Sequence, residues 1–475
     1  MAKIVVLGGG VCGLAAGILL ARDGHDVTLL ERDPHPVPAS PEDAWDNWER
    51  DGVTQFRLAH FLHARGSEII RTEFPEVRQG LVDAGAAVVD PLARMPPFMS
   101  DREPRPGDER LTTLTARRTT VEQVFGSVAA REPRLDIRRG VGVVGLLDGA
   151  GTRVPHFHGV RTESGEELEA DLVVDAMGRR SALPKWLAEE GCAPVHEEAE
   201  DSGFSYYGRF FQSADGTMPE SYGPLLTPIG SFSILTLPSD AGTWSVTLFV
   251  ASRDQPLKRF RHAEIFEAVV RACPAHEQWL AGEPITDVLS MGGLIDRYRR
   301  FVSDGGPIAT GVVAVADAWA CTNPSLGRGI SLGLAHVVGL RDLVRSELDD
   351  PLGFAEAYDE MTERELTPWY RGTVTVDRAR LAEMEALRNG LEPPGPRDFR
   401  DGLGRALEAA APHDPEVFRG MLEIAGCLTL PNEVFGRPGM VDRVVELAEE
   451  HPPIQWPGPS REELLKLVAE QPAGA

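Results

Sequence analysis

Three glycines near the start of the chain could hold a phosphate-bearing ligand. Gly8, Gly10 and Gly13 lie in residues 3–32 (KIVVLGGGVCGLAAGILLARDGHDVTLLER), between one apolar run and a helix-like segment that leads to a second apolar run. Gly8 permits a tight turn, Gly10 lets the backbone approach a pyrophosphate, and Gly13 lets the helix lie close to a sheet. Free N–H groups at the helix N-terminus bind phosphates, and Glu31 accepts hydrogen bonds from ribose hydroxyls. This strand, turn, helix and strand predict a dinucleotide-binding unit.

Two later segments also combine a buried strand with glycines. Residues 171–181 (DLVVDAMGRRS) place an apolar run before one glycine. Residues 311–329 (GVVAVADAWACTNPSLGRG) place one apolar run before two glycines. In the second of these segments, Asp317 follows the strand, and Gly327 and Gly329 precede a helical pattern. An acid at a strand end beside a helix start can orient the hydroxyls of a polyol, and the glycines allow close approach of the backbone to a ligand.

Composition excludes several classes of partner. The chain has 475 residues and a formal net charge of −25, a surface that repels nucleic acids and anionic membranes. No apolar stretch reaches the roughly 18 residues that span a bilayer. The five cysteines show no CxxC spacing, which predicts reduced thiols in a cytoplasmic protein. The histidines show no paired ligand spacing, so no metal site is expected.

The order of the patterns predicts a discontinuous first domain. A buried strand returns near residue 310, after a separate series of short β-like runs rich in aromatic residues. We therefore expect an α/β fold with a Rossmann-like nucleotide-binding domain, an inserted β-sheet substrate domain and a helical C-terminal region. These parts are assigned to residues 1–72, 113–190 and 286–350, to residues 73–112 and 191–285, and to residues 351–475, respectively.

The three motifs, in this order over roughly residues 1–350, resemble the flavoprotein monooxygenases of the para-hydroxybenzoate hydroxylase type, with their epoxidase, halogenase and reductase branches. The resemblance implies FAD as the cofactor. It implies that Asp317 binds FAD hydroxyls and that residues 324–329 place backbone N–H groups near the flavin pyrimidine. The candidate cofactor-binding residues are Gly8, Gly10, Gly13, Glu31, Arg32, Arg118, Asp317, Pro324, Gly327 and Gly329.

Arg118 enters that set because residues 118–122 (RTTVE) are similar to a helix start whose arginine contacts the FAD phosphates and ribityl chain in the family. A solvated helix arginine is the alternative. Residues 56–72 have helical spacing, and Arg57 within them resembles a residue that epoxidase-like members place near the flavin. Here the exposed face of a helix is the alternative. His60 is close to Arg57 in sequence and is the best candidate for a titratable group near the flavin. Arg57 and His60 are therefore the candidates for a catalytic role.

The sequence also departs from the family pattern. Met177 stands where the middle motif of the family has an acid linked to FAD and NADPH, and Pro184 stands where it has an arginine. Ala316 replaces a usual glycine. These departures leave the electron donor open between NADPH, NADH and a partner flavin reductase. Residues 242–245 (GTWS) lack the Trp-x-Trp-x-Ile-Pro segment of the halogenases, which disfavours halogenation.

The family chemistry implies a flavin C4a-hydroperoxide that transfers oxygen to a small, fairly apolar molecule. Tyr207, Arg209 and Phe211 share one face of a predicted strand, and Tyr206 lies on the opposite face. The pattern does not choose the face that meets the substrate. We take the first face, together with Trp319, as the candidate substrate pocket.

Three other functions are alternatives to oxygen transfer. A reductase or dehydrogenase of the same fold would move hydride without inserting oxygen. A flavin-binding module would act through the acidic C-terminal region without catalysis. An NAD-dependent dehydrogenase is opposed by the motif at residues 311–329. The sequence does not indicate the substrate or the oligomeric state.

Overall fold

The computed structural model describes residues 1–149, 154–396 and 398–470. The strands are β1 (Lys3–Leu7), β2 (Asp26–Glu31), β3 (Ala87–Val89), β4 (Thr113–Thr115), β5 (Leu135–Arg139), β6 (Val143–Gly149), β7 (His156–Thr162), β8 (Glu167–Glu169), β9 (Leu172–Asp175), β10 (His196–Asp201), β11 (Phe204–Gln212), β12 (Leu226–Ile229), β13 (Phe232–Pro238), β14 (Thr243–Ala251), β15 (Glu283–Pro284), β16 (Leu289–Met291), β17 (Ile295–Arg300), β18 (Val302–Ser303), β19 (Gly306–Pro307), β20 (Val312–Ala314) and β21 (Ala320–Cys321).

The helices are α1 (Val11–Arg22), α2 (Pro41–Asn47), α3 (Ala64–Glu73), α4 (Pro75–Asp83), α5 (Arg118–Ala129), α6 (Leu183–Glu189), α7 (Ala263–Arg271), α8 (Gly329–Glu347), α9 (Pro351–Glu365), α10 (Thr367–Arg388), α11 (Phe399–Ala410), α12 (Pro415–Ala425), α13 (Pro431–Phe435), α14 (Met440–Glu450) and α15 (Arg461–Glu470).

A parallel sheet with the strand order β20-β9-β1-β2-β5 brings together the two ends of the predicted discontinuous domain. Val5 of β1 pairs with Thr28 of β2 on one side and with Val173 of β9 on the other. The strands are nearly continuous apolar runs because helices, among them α1, α5 and α8, cover them. Both glycine motifs therefore emerge at the carboxyl ends of parallel strands of one sheet, β1 and β20, which are separated by β9. Ligands bind at this edge in open α/β sheets. The predicted α/β class is confirmed.

The second large sheet is antiparallel and has the order β12-β13-β14-β11-β15, with β16 also paired to β11. One face of this sheet packs on α7 and α15 through a buried cluster that includes Phe211, Trp244 and Phe260. A smaller sheet, β10-β17-β21, connects it to the segment that follows Asp317. The inserted sheet and the nucleotide-binding sheet thus meet beside the second glycine motif.

Residues 73–112, which the sequence assigned to the substrate domain, pack in two different places. Phe74, Val77 and Leu81 pack in the core of the parallel sheet and its helices, since α4 lies against α5. Met95 and Met99 instead pack with α11, α12 and α14 in a separate apolar cluster. The segment is divided between two cores, because its first apolar residues pack with the parallel sheet and its later ones pack with the C-terminal helices.

Helices beyond the predicted boundary at residue 351 pack into several parts of the molecule. Phe354, Tyr358 and Met361 of α9 are buried in the core of the nucleotide-binding domain. Leu464 and Val468 of α15 are buried under the inserted sheet. The helical C-terminal region is therefore distributed over the rest of the molecule, and only α11–α14 form a cluster of their own with residues near Met95.

The helix predicted over residues 56–72 begins only at Ala64. Upstream of this point, backbone groups bond to side chains instead of to a helical turn. The His60 ring bonds to the carbonyl of Leu58 at 2.9 Å, and the N–H of His63 donates to Ser331 Oγ of α8 at 3.0 Å. In the described part of the chain, no helix is long and apolar enough to cross a bilayer.

Candidate functional site

The glycine turn after β1 has the geometry of a phosphate cradle. Gly8 has φ of +102°, and a Cβ there would lie 2.6 Å from the carbonyl oxygen of Ala176. A Cβ on Gly13 would lie 1.9 Å from the carbonyl oxygen of Gly8, so only glycine fits. Gly10 caps α1 without a side-chain hydrogen bond, and a Cβ on it would meet no atom within 4 Å. The open N-terminus of α1 fits the pyrophosphate of a dinucleotide.

Glu31 is held in place by a buried arginine that the sequence did not reveal. Its carboxylate accepts the N–H of Gly9 at 2.8 Å and is paired with Arg50 Nη2 at 2.8 Å. Arg50 also pairs with Asp33 at 2.8 Å and with Glu122 at 2.7 Å. Arg50 lies in a segment rich in proline and acids with no motif of its own, so no local signal could have identified it.

Arg118 is positioned by the same cluster. Its Nε donates to Glu122 Oε1 at 2.7 Å, one helical turn along α5. Glu122 therefore bridges Arg118 and Arg50. The arrangement leaves Arg118 largely buried at the first position of α5, lining the cavity. It is not the solvated helix arginine that the sequence allowed.

The acid of the second glycine motif lines the same cavity, near Cys12 of the first glycine turn. Asp317 lines this cavity between β20 and β21. Burial raises the pKa of Asp317, and the guanidinium groups of Arg179 and Arg118 oppose that rise. Gly327 has φ of +63°, and Gly329 is the first residue of α8, so backbone N–H groups face the cavity there.

Ala316 adopts a backbone conformation that explains why the family favours glycine at this position. Its φ is +51°, in the left-handed region. Its N–H donates to His336 Nδ1 at 3.1 Å, and His336 Nε2 donates in turn to the Tyr358 hydroxyl at 2.6 Å. The Tyr358 hydroxyl donates to the carbonyl of Ala314 at 2.7 Å. This chain of hydrogen bonds holds the turn before Asp317, and burial lowers the pKa of His336 to about 3, which keeps it neutral.

The middle motif is also held by a buried acid. Asp175, at the end of β9, accepts the N–H of Met177 at 2.9 Å and the hydroxyl of Ser181. Burial raises the pKa of Asp175 to about 6. Met177 lines the cavity where the family has its acid, so this carboxylate shapes the turn without reaching the cavity.

One cavity of about 3630 Å³ connects these features. Binding sites for one small molecule commonly measure about 300–1,000 Å³, so this space has room for a dinucleotide and a substrate. All ten candidate cofactor-binding residues line it, together with His60 and Trp319: Gly8, Gly10, Gly13, Glu31, Arg32, Arg118, Asp317, Pro324, Gly327 and Gly329.

Side chains from both faces of β11 reach the cavity. Tyr207 and Phe211 are buried on the side that packs against α7 and Trp244. Arg209, from the same predicted face, lines the cavity and forms an ion pair with Glu267 of α7 at 2.8 Å. Tyr206 and Phe210, on the opposite face, also line the cavity and form what we call the cavity face of β11. Both faces of the strand are buried, so alternation alone could not separate them.

Arg57 and His60, the two candidates for a catalytic role, are each held by a hydrogen bond to a backbone carbonyl. The Arg57 guanidinium lies 5.1 Å from the centre of the Trp45 ring and donates to the carbonyl of Trp48 at 3.1 Å, away from the cavity lining. His60 does line the cavity, but burial and the nearby Arg118 lower its pKa to about 3. His60 is therefore neutral, and its Nδ1 is engaged by the carbonyl of Leu58. Neither residue is an acid or base poised near neutral pH.

The cysteines and acids give no metal or thiol site. Among the described residues, no group of three His, Cys, Asp or Glu side chains could hold a metal ion. All five cysteines are free. Cys12, in the glycine turn, has its pKa raised to about 12 by burial and the nearby Asp317, so it is an unreactive thiol.

Comparisons with known proteins agree with this site. The family model of the FAD binding domain matches residues 1–204. Protein Rv3254 of Mycobacterium tuberculosis is 28% identical over 376 residues. The match covers 72% of this chain and 73% of that protein. The NAD-dependent dihydropyrimidine dehydrogenase subunit PreT of Escherichia coli is 36% identical over 73 residues, 15% of this chain.

Solved structures share the fold at low sequence identity. The flavin-dependent brominase Bmp2 has a TM-score of 0.61 at 14% identity, covering 94% of this chain and 99% of that one. PqsL from Pseudomonas aeruginosa has a TM-score of 0.59 at 15% identity, covering 82% and 98%. The anhydrotetracycline hydroxylase OxyS from Streptomyces rimosus has a TM-score of 0.54 at 18% identity, covering 90% and 76%.

The fold, the phosphate cradle and the match to the FAD binding domain define an FAD-dependent oxidoreductase. Residues 1–204 match the FAD binding domain, and the chain shares its fold with the flavin-dependent proteins named above. FAD, the cofactor predicted from the sequence, is thereby confirmed.

Proposed function

We propose that this chain is a monooxygenase that hydroxylates or epoxidises a small, fairly apolar organic molecule. One observation carries the proposal: the glycine turn after β1 and residues 324–329 face a single cavity, and the cavity face of β11 forms another wall of it. Bound FAD supplies the activation of O2 once it is reduced. The residues of the chain must bind this cofactor, orient the substrate and exclude water.

The cofactor-binding residues divide into two groups at opposite ends of FAD. Gly10 and the N-terminus of α1 bind the pyrophosphate, and Glu31 accepts hydrogen bonds from ribose hydroxyls. Asp317 orients the hydroxyls of the linking chain. The N–H groups at the start of α8 lie toward the flavin ring, where the positive end of the helix dipole stabilises the negative charge of the reduced ring.

The substrate wall consists mainly of aromatic and aliphatic side chains. Tyr206 stacks on Phe249, with ring centres 5.0 Å apart, and Phe210 packs edge-on against Trp45 at 5.1 Å. Leu235 of β13 lines the same cavity. A wall of this kind favours an apolar or aromatic substrate that is oriented by few hydrogen bonds.

The helical cluster α11–α14 forms a further part of the cavity lining. Leu403, Leu407 and Phe418 of this cluster line it, together with Pro96 and Phe98. Apolar side chains in this position keep water away from the reacting atoms. Among the solved structures of the same fold, OxyS is a hydroxylase, which supports the same reaction class here.

The experiment uses the purified chain and a panel of phenols, indoles and styrenes under ¹⁸O2. We expect a yellow protein whose bound flavin is identified as FAD after denaturation. NADPH, NADH or a flavin reductase should reduce this flavin, and one ¹⁸O atom should enter the product. Reduced products without ¹⁸O would instead support an FAD-dependent reductase of the same fold.

A further inference from the structure

One face of α10, in the C-terminal region, contacts the loop that precedes α8. Trp369, Thr373 and Asp377 are spaced by four residues and so lie on the same side of the helix. The Arg328 guanidinium lies 5.3 Å from the centre of the Trp369 ring, and its Nη1 donates to Thr373 Oγ1 at 3.1 Å. The helix therefore holds the end of the loop next to Gly329.

Asp377 holds the other end of the same loop. Its Oδ1 accepts the hydroxyl of Ser325 at 2.5 Å, and its Oδ2 accepts Nδ2 of Asn323 at 3.1 Å. All three side chains are buried. Hydrogen bonds of this kind fix a loop firmly, because a buried polar group that loses its partner costs roughly 1–3 kcal/mol.

Asn323 also connects this loop to two other elements. Its N–H donates to Asp296 of β17 at 2.5 Å, and its Oδ1 accepts the Tyr206 hydroxyl of β11 at 2.8 Å. Tyr206 belongs to the cavity face of β11. The residue immediately before Pro324 is thus bonded to the substrate wall, to β17 and to α10 at the same time.

We propose that Asp377 is a positioning residue that holds residues 323–329 against the ring end of bound FAD. It acts through its hydrogen bonds to Asn323 and Ser325, so the C-terminal region controls the surroundings of the flavin ring through this loop. Through Asn323 and Tyr206, the same contact couples the substrate wall to the loop. This inference rests on the position of the flavin ring given under the proposed function, but not on oxygen transfer.

The charges around Asp377 add a pH dependence to this device. The pKa of Asp377 is raised to about 7, chiefly by burial and also by nearby Asp296. The hydrogen bonds from Ser325 and Asn323 and the charge of Arg328 oppose this rise. Tyr206 faces it from β11. Both protonation states are therefore populated near neutral pH. The neutral acid can donate to Ser325 while still accepting from Asn323, and an asparagine reproduces that pattern.

The test compares Asp377→Ala and Asp377→Asn with Arg378→Ala, a control on the same helix whose side chain is exposed and pairs with Glu200. Dialysis gives the Kd for FAD, the visible absorption spectrum reports the surroundings of the bound flavin, and the melting temperature of the FAD-free protein reports folding. We expect Asp377→Ala to raise the Kd by about tenfold or more and to shift the flavin absorption bands. Arg378→Ala should leave both readouts unchanged.

The pH profile supplies a second, independent arm. The wild-type flavin spectrum should change over about one pH unit on either side of 7, and Asp377→Asn should bind FAD tightly but lose this change. A wild-type pH profile in Asp377→Asn would overturn the proposal, as would a folded Asp377→Ala with unchanged Kd and spectrum. If Asp377→Ala does not fold, the Asp377→Asn profile decides alone. None of these readouts needs turnover, so a protein that binds FAD without transferring oxygen would refute the proposed function and leave this test valid.

Discussion

The Arg50 guanidinium donates to the Glu31 carboxylate at 2.8 Å, at the carboxyl edge of the parallel sheet where the cofactor binds. The same guanidinium pairs with Asp33 and Glu122, and all of these groups are at least largely buried. Arg50 therefore pairs with three acids, one of which, Glu122, also pairs with Arg118. A buried charge that loses its partner costs much more than an exposed one, since water cannot solvate it.

We expect Arg50→Ala to lower the free energy of unfolding by about 3–5 kcal/mol and to weaken FAD binding, because Glu31 and Glu122 lose their shared cation. Chemical denaturation of the FAD-free protein and dialysis against FAD measure the two effects. Arg134→Ala is the matched control, because its pair with Asp26 is exposed and such pairs contribute about 0–1 kcal/mol. Equal effects of the two substitutions would contradict the role of the buried cluster.

Asp317→Ala should sharply weaken flavin retention while the fold stays intact, because the variant removes the carboxylate that orients the cofactor hydroxyls. Loss of one charged hydrogen-bond acceptor predicts a rise in Kd of roughly tenfold to a hundredfold. The absorbance of flavin that remains after extensive dialysis measures it, and Asp349→Ala, at an exposed position after α8, is the control. If Asp317→Ala remained fully yellow, the placement of the second glycine motif would be wrong.

Asp175 should make stability depend on pH in a direction unusual for a carboxylate. Its pKa is raised to about 6 in the folded protein, so between about pH 4 and 6 the folded state binds more protons than the unfolded state. Wild-type stability should therefore fall relative to Asp175→Asn as the pH rises through this window, by at most about 1.4 kcal/mol per unit. Denaturation of both proteins at several pH values measures this difference. A difference that stays constant over this range would refute the buried protonated state.

Ala316→Gly should raise the free energy of unfolding slightly, by up to about 1 kcal/mol. Relief of the left-handed strain at φ +51° exceeds the entropy that glycine adds to the unfolded chain. Ala314→Gly, two residues earlier in β20, is a matched control of opposite sign, because that residue is in a regular strand. Denaturation midpoints of the two variants compare them directly. Destabilisation by Ala316→Gly would show that Cβ packing at this turn outweighs the strain.

Local patterns in the sequence were sufficient for the cofactor end of the molecule. Gly8, Gly10, Gly13 and Glu31 lie within one strand, turn, helix and strand, so their spacing along the chain fixes their arrangement in space. The motif around Asp317 was predictable for the same reason, since the acid and the two glycines after it lie in one segment of the chain between β20 and the start of α8. In each case, conformational requirements of a few consecutive residues leave a readable pattern.

Only the tertiary structure decided which residues complete the site. Alternation in β11 separates Tyr206 from Tyr207 but cannot say which lies on the cavity face, because α7 and the cavity bury opposite faces of the strand. Arg50 and Asp377 act on residues that are far from them in the chain, and no spacing rule connects such pairs. Their positions depend on how helices and sheets pack, since the partner of a buried polar group is set by proximity in space.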